Sequence, residues 1–254
     1  MNISSMTSQT SVSPNAFCAV LVGVICLFSL SSCSLIKRDR YAKNNGIRRS
    51  DFDLPIFFYP AADQRSNTLI LVLSGDGGWV EFEDQISLQF AIAGFNTVGF
   101  NSRSYFWNQK TPRATANDLA MLIDVYRKQY HAENIIICGY SFGADVVPFI
   151  YNRLPLHLRL RTLKLAMLSP FASSDFMVHT SDLLNIGGDN RSFKVQPEVE
   201  KIRIPTLCFY GEDEDPKPLG TVKRKNFFLK LLPGDHKYDK SAYQLIVETI
   251  VNKK

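Results

Sequence analysis

Asn134-Ile135-Ile136-Ile137-Cys138-Gly139-Tyr140-Ser141-Phe142-Gly143-Ala144-Asp145-Val146-Val147-Pro148-Phe149-Ile150-Tyr151 is the stretch that decides the fold. Its first five residues are an apolar, β-branched run that reads as a buried strand. Ala144 to Tyr151 reads as the start of a helix. Between them lies a Gly-x-Ser-x-Gly turn. A sharp turn brings the strand and helix backbones close together, and a side chain at either glycine would clash. The serine is pushed out where a substrate can reach it, at the positive end of a helix. Alone, the pentapeptide is a weak signal, equally compatible with an ordinary turn serine. Flanked by a strand and a helix, it points to Ser141 as a nucleophile.

A serine nucleophile needs an imidazole to take its proton, and the imidazole needs a carboxylate to fix its tautomer and stabilise its cation. The chain has four histidines. His131 ends a helix, His157 lies in a Leu/Arg-rich stretch, and His179 precedes a candidate lid. Only His236, in Leu231-Leu232-Pro233-Gly234-Asp235-His236-Lys237-Tyr238, follows a strand and a turn just before the last helix. The acid belongs to the loop after the apolar run ending at Tyr210, in Gly211-Glu212-Asp213-Glu214-Asp215-Pro216. Most of that loop reads as solvated. The Asp-Pro pair favours Asp215 as the acid, the short spacing from the strand-end glycine favours Glu214, and Asp213 stays open. Nucleophile, acid, histidine is the order that an α/β-hydrolase requires.

The developing oxyanion needs donors. One is the backbone N–H of Phe142, the residue after the nucleophile. The other belongs to the loop after the strand Thr68-Leu69-Ile70-Leu71-Val72-Leu73. That loop is Ser74-Gly75-Asp76-Gly77-Gly78-Trp79, and its glycines let backbone N–H groups point inward, with Asp76 at the donor position. It lacks the Gly-Lys-Ser/Thr ending of a nucleotide-binding loop.

Several longer motifs resemble one family. They are Ser-Gly-Asp-Gly-Gly-Trp at 74–79, Tyr-Phe-Trp at 105–107 with Thr-Pro at 111–112 and Asp-Leu at 118–119, Gly-Tyr-Ser-Phe-Gly-Ala-Asp-Val-Val-Pro-Phe at 139–149 with Asn-Arg-Leu-Pro at 152–155, and Tyr-Gly-Glu-Asp-Glu at 210–214. From about residue 53 to the end the chain is similar to the VirJ/AcvB family of bacterial virulence proteins. The resemblance implies an α/β-hydrolase domain exported to the periplasm. It implies cleavage of the aminoacyl ester of lysyl-phosphatidylglycerol and, for some members, a link to type IV secretion. The family's histidine segment usually reads Gly-Gly-His-His-Phe-Asp, where this chain has Gly234-Asp235-His236-Lys237-Tyr238-Asp239. Where members usually carry a Ser and a Cys soon after the acidic loop, Pro216-Lys217-Pro218 stands instead.

Residues 1–33 contain no charged side chain, Ala16 to Leu30 is almost wholly apolar, and Leu30-Ser31-Ser32-Cys33 follows. This pattern predicts a lipoprotein signal peptide over 1–32, lipidation of Cys33, a polar tether over 33–50 and the hydrolase domain over 51–254. Ser34 is compatible with sorting to an outer membrane. An uncleaved anchor is the alternative, because the leader lacks basic residues while Lys37-Arg38-Asp39-Arg40 lies beyond the apolar run. Cys138 and Cys208 sit in strands that would not be neighbours, so both are expected as buried thiols. No Cys/His cluster has metal-ligand spacing, and no cofactor is implied.

The remaining pattern predicts strands over 52–59, 95–100, 162–168, 206–210 and 226–232. It predicts helices over 82–93, 112–130 (capped by Thr111) and 241–251. Alternating strands and helices imply a mostly parallel, doubly wound sheet with helices on both faces. The only candidate lid is 173–200, and it is short. The net charge is +5, with Lys223-Arg224-Lys225 and Arg159/Arg161 as patches suited to an anionic lipid surface or simply to solvent. Nothing supports nucleic-acid binding. Asp145 is a candidate for an ammonium group of the substrate, against a carboxylate favoured by the helix N-terminus. Trp79 and Trp107 are candidate substrate contacts, against core filling. The sequence reads as a periplasm-facing serine hydrolase that cleaves an aminoacyl ester of an anionic membrane lipid. The alternatives are a general carboxylesterase or thioesterase and a non-catalytic partner of an envelope secretion system.

Overall fold

The computed structural model describes residues 54–179 and 191–252. The expected leader, Cys33, the tether and the start of the domain at residue 51 lie outside the described residues, as does the middle of the candidate lid. Among the described residues no helix is long and apolar enough to cross a membrane.

Among the described residues seven strands form the main sheet: β1 (Ile56–Tyr59), β2 (Thr68–Leu73), β3 (Thr97–Phe100), β4 (Asn134–Tyr140), β5 (Thr162–Leu168), β8 (Thr206–Gly211) and β9 (Phe227–Leu232). Their spatial order is β1-β3-β2-β4-β5-β8-β9. β1 runs antiparallel to β3, and every other pairing is parallel. Central strands are covered on both faces, which is why Leu69-Ile70-Leu71-Val72 and Ile135-Ile136-Ile137 are continuous apolar runs rather than alternations. The 2.0 periodicity divides them. Leu69, Leu71 and Leu73 join the cluster that contains Leu119, Ile123, Val146 and Ile150, while Ile70 and Val72 point to the opposite face.

Helices α1 (Glu81–Ile92) and α7 (Ala242–Val251) pack on each other, as do α3 (Pro112–Gln129) and α4 (Phe142–Arg153), with the short α2 (Ser102–Tyr105) before α3 and α5 (Leu156–Arg159) after α4. α3 starts as its sequence dictates. Thr111 Oγ1 accepts the Ala114 N–H at 3.2 Å, and Pro112 occupies the first turn, where no N–H is needed. The strand expected over 52–59 begins only at Ile56, after Pro55, and other boundaries moved by a residue or two. Asn226 donates to the carbonyls of Ile202 and Ile204, so β9 begins at Phe227. Asn96 accepts the Ala61 N–H, and β3 begins at Thr97.

The flanks of the expected lid are tied into the body. β6 (Ser173–Ser174) pairs antiparallel with β7 (Phe193–Lys194), and the short α6 (Val195–Val199) follows. Phe176 is fully buried against Phe106, Phe149 and Phe193. Cys138 on β4 and Cys208 on β8 are free, buried and separated by β5.

Parallel register sets the site. Leu73 lies opposite Gly139, Gly139 opposite Met167, Met167 opposite Cys208 and Cys208 opposite Leu229. The loops that follow β2, β4, β5, β8 and β9 therefore open at one end of the sheet.

Candidate active site

Ser141 stands between β4 and α4 with φ 52° and ψ −122°. A non-glycine residue at positive φ is strained, and the surrounding packing must hold it there. The flanking glycines make this possible. A Cβ on Gly143 would lie 2.5 Å from the Leu73 carbonyl oxygen and 2.6 Å from that of Ser74, and one on Gly139 would run into the backbone of Gly143. The Ser141 hydroxyl makes no cap bond to its own helix. Its Oγ lies 3.0 Å from His236 Nε2.

His236 is carried by the turn after β9, which closes through Tyr238 N–H to the Asp235 carbonyl and Asp239 N–H to that of Pro233. The Tyr140 hydroxyl donates to the His236 carbonyl at 3.0 Å, and the Phe171 ring leans on the imidazole at 5.1 Å between centroids.

The carboxylate at the histidine is Glu214, not Asp215. Glu214 Oε1 lies 2.8 Å from His236 Nδ1. Its Oε2 accepts the Gly211 N–H at 3.0 Å and the Ser169 hydroxyl at 2.7 Å, and the Tyr238 hydroxyl lies 2.8 Å from Ser169 Oγ. The reason is the tightness of the turn. Glu214 N–H returns to the Gly211 carbonyl and Asp213 N–H bonds that of Gly234, so the third residue after the strand-end glycine folds back over the sheet. Asp213 and Asp215 are left exposed. The Asp-Pro pair misdirects the reading because it marks the loop's outer bend.

Phe142 is the first residue of α4, so its N–H has no acceptor within the helix. The Ser74–Trp79 loop lies directly beside the nucleophile: a Cβ on Gly75 would be 3.3 Å from Ser141 Cβ. The next residue is Asp76, the expected donor. The loop turns through Gly78 N–H to the Gly75 carbonyl, and Ser74 Oγ accepts the Ser102 N–H. Beneath it lies Glu83, which the sequence reading missed. Its acid three residues after the N-cap is half of a capping box, but the cap itself is Val80 rather than a Ser or Thr, so the pattern is hidden.

Two expected substrate contacts face elsewhere. Asp145 is buried, and its Oδ1 accepts the Phe171 N–H at 2.6 Å. It fixes the loop after β5 and thereby the ring beside His236, and it is not open to an ammonium group. Trp79 is also buried. It stacks on Phe57 at 4.8 Å, donates from Nε1 to the Tyr59 hydroxyl at 2.9 Å, and covers Gly99, where any Cβ would enter its ring. Trp107 is exposed, next to Phe106, whose ring meets Phe142 edge-on at 5.0 Å. Ser169, Phe171 and Tyr140 are further site neighbours that sequence did not single out, since each is an unremarkable residue placed only by register. Among the described residues no group of three or more His, Cys, Asp or Glu side chains is arranged to hold a metal ion.

The family model for the bacterial virulence protein VirJ matches residues 67–254, which is well over half of the chain and contains the whole constellation. The chain belongs to the VirJ family. This VirJ-family domain shares its fold with solved α/β-hydrolases. MenH from S. aureus is 13% identical, with 77% of this chain and 97% of that one covered at a TM-score of 0.58. A lipase-esterase related protein from Clostridium acetobutylicum is 17% identical, covering 77% and 98% at 0.56. An α/β serine hydrolase without a lid from Xanthomonas campestris is 16% identical, covering 78% and 90% at 0.52. Among curated proteins none matches the VirJ-family chain in sequence.

Proposed function

We propose that this protein is a serine ester hydrolase in which Ser141, His236 and Glu214 form the catalytic triad. The observation that carries this reading is the unbroken chain of contacts, 3.0 Å from Ser141 Oγ to His236 Nε2 and 2.8 Å from His236 Nδ1 to Glu214 Oε1, on a strained turn at the start of a helix. Ser141 Oγ attacks the carbonyl carbon while His236 Nε2 takes its proton. Glu214 holds the imidazole in the tautomer with the proton on Nδ1 and stabilises its cation. The oxyanion is held by backbone N–H groups of Phe142 and Asp76. The ester C–O bond then breaks, and His236 returns the proton to the leaving alcohol. Water, deprotonated by His236, attacks the acyl-enzyme and releases the acid.

For the substrate, family membership favours an aminoacyl ester of an anionic membrane lipid such as lysyl-phosphatidylglycerol. Its products are a free amino acid and phosphatidylglycerol. Since Asp145 is turned inward, the counter-charge for the ammonium groups falls to exposed carboxylates on the loops around His236. Glu212, Asp213 and Asp235 are on these loops, which are joined by the Asp213 N–H to Gly234 bond. A periplasmic location with a lipid on Cys33 would keep the enzyme at this substrate and raise its effective concentration.

The test incubates the purified protein with lysyl-phosphatidylglycerol and follows lysine release, beside Ser141→Ala. Release that requires Ser141 supports both halves of the proposal. A fluorophosphonate that labels Ser141 without any lysine release keeps the ester hydrolase and discards the lipid. Neither labelling nor release, in folded protein, favours a non-catalytic partner of a secretion system.

A further inference from the structure

We propose that Glu83 is the positioning residue of the oxyanion loop, a buried carboxylate that fixes the backbone beside Ser141 by holding both ends of the 74–79 segment. Its Oε1 accepts the Gly75 N–H at 3.1 Å and its Oε2 the Val80 N–H at 3.3 Å. Gly75 is the residue packed against Ser141, and Asp76 follows it. The side chain is 1% exposed. Among the described residues no Lys or Arg forms an ion pair with it.

A carboxylate buried without a counter-ion is costly unless hydrogen bonds compensate it. A residue placed there for packing alone would be apolar. Glu83 has two acceptor oxygens, and each meets one N–H of a loop whose glycines supply little rigidity of their own. The donors that must meet an oxyanion are useful only if they are already in place. Burial pushes the Glu83 carboxyl up to about 7, against the backbone N–H groups of Gly75 and Val80 and with the Asp76 carboxylate adding to the rise. The other titratable groups around it are Cys138 and Tyr140 on β4 and Tyr243 on α7, all raised by burial and so neutral at pH 7. On its own helix Glu81 is turned to Lys240 and Asp84 to Tyr59. A protonated Glu83 presents an O–H in place of one acceptor, so one end of the loop is released as pH falls through this range. The proposal rests on the ester-hydrolase reading for its catalytic consequence, though not for the anchoring itself.

The chain has two tryptophans, and Trp79 closes the loop. In the full chain carrying Trp107→Phe, Trp79 emission is expected to change in a step centred near pH 7, and Glu83→Gln should abolish that step. In the same pair the rate of Ser141 labelling by a fluorophosphonate at pH 8 should fall on the order of tenfold to a hundredfold. Glu83→Asp, one methylene shorter, should fall between them, and it replaces Glu83→Gln if the latter does not fold. An emission profile and a labelling rate unchanged by these substitutions overturn the proposal. A parent that is never labelled, yet shows a Trp79 step lost in Glu83→Gln, removes the hydrolase reading and leaves the loop anchor standing.

Discussion

Glu214 and His236 meet at 2.8 Å although each stands on a different loop, and the second oxygen of Glu214 is saturated by Gly211 N–H and the Ser169 hydroxyl. The carboxylate is thereby locked with one oxygen aimed at the imidazole. Glu214→Gln is expected to lower kcat on an activated ester by about a thousandfold to ten-thousandfold, as loss of a triad carboxylate does. Asp215→Asn should leave it within about twofold, because surface substitutions away from the site act weakly, and so should Asp213→Asn on this ester, which has no ammonium group for Asp213 to meet. Steady-state kinetics of the three variants decide the matter, and a large loss at Asp215 with none at Glu214 would reject the assignment.

Ser169 touches Glu214 but not the expected position of the substrate. Ser169→Ala removes one donor to a buried carboxylate, worth about 1.5–3 kcal/mol of stability, without removing the triad. The expected result is a lowered melting temperature and a reduced kcat with KM unchanged. A rise in KM alone would place Ser169 in binding instead.

Asp145 fixes Phe171, whose ring leans on His236. Asp145→Ala leaves a backbone N–H unpaired and should cost about 1–3 kcal/mol in stability. Its effect on kcat/KM should be equal for a cationic aminoacyl ester and a neutral ester of the same size. A loss confined to the cationic substrate would return Asp145 to the role of an ammonium ligand.

Gly143 has no room for a side chain against the backbone of β2 and the loop after it. Gly143→Ala forces backbone apart at the elbow and should cost upward of about 3 kcal/mol, seen as insoluble or unfolded protein by circular dichroism. A folded, active Gly143→Ala would mean the strand and helix are less closely apposed than described.

Two buried carboxylates should bend the stability curve in opposite directions. Burial opposes the charge on Glu198, but hydrogen bonds from Arg153, Lys201 and Asn152 outweigh it and bring it from 4.5 to about 2. Its contribution is full above 4.5 and lost as pH falls through about 2. Glu83 is raised from 4.5 to about 7, so the unfolded chain gives up that proton first and stability falls as pH rises across this window. Denaturant midpoints measured from pH 3 to pH 8 should show Glu198→Gln flattening the acid limb and Glu83→Gln flattening the fall toward neutrality. A curve that neither variant alters would contradict both assignments.

The elbow was legible because steric demand is local. Gly139, Ser141 and Gly143 are required by a turn made of adjacent residues, and a β-branched run before them and a helix after them are also local signals. The same holds for Thr111 and Pro112 at the start of α3 and for His236 after its strand. The choice among Asp213, Glu214 and Asp215 was not local. It depended on where the β8 loop folds relative to Ser169 just after β5 and Gly234 after β9, and those contacts come from strands far apart in the chain. Trp79 and Asp145 misled for the same reason. Beside a catalytic motif, both look like substrate contacts, and only packing turned one onto Phe57 and Gly99 and the other onto Phe171.

By itself the sequence determined the parallel architecture, the strained serine and the histidine, because hydrophobic period, glycine spacing and chain order are properties of neighbouring residues. Tertiary structure alone decided that Glu214 is the carboxylate that meets His236, that Asp145 and Trp79 face inward, and that Glu83 lies under the 74–79 loop. Each of these groups stands on a loop or a helix beside the sheet, so its partner is set by how segments distant in the chain pack together, which no pattern of neighbouring residues records.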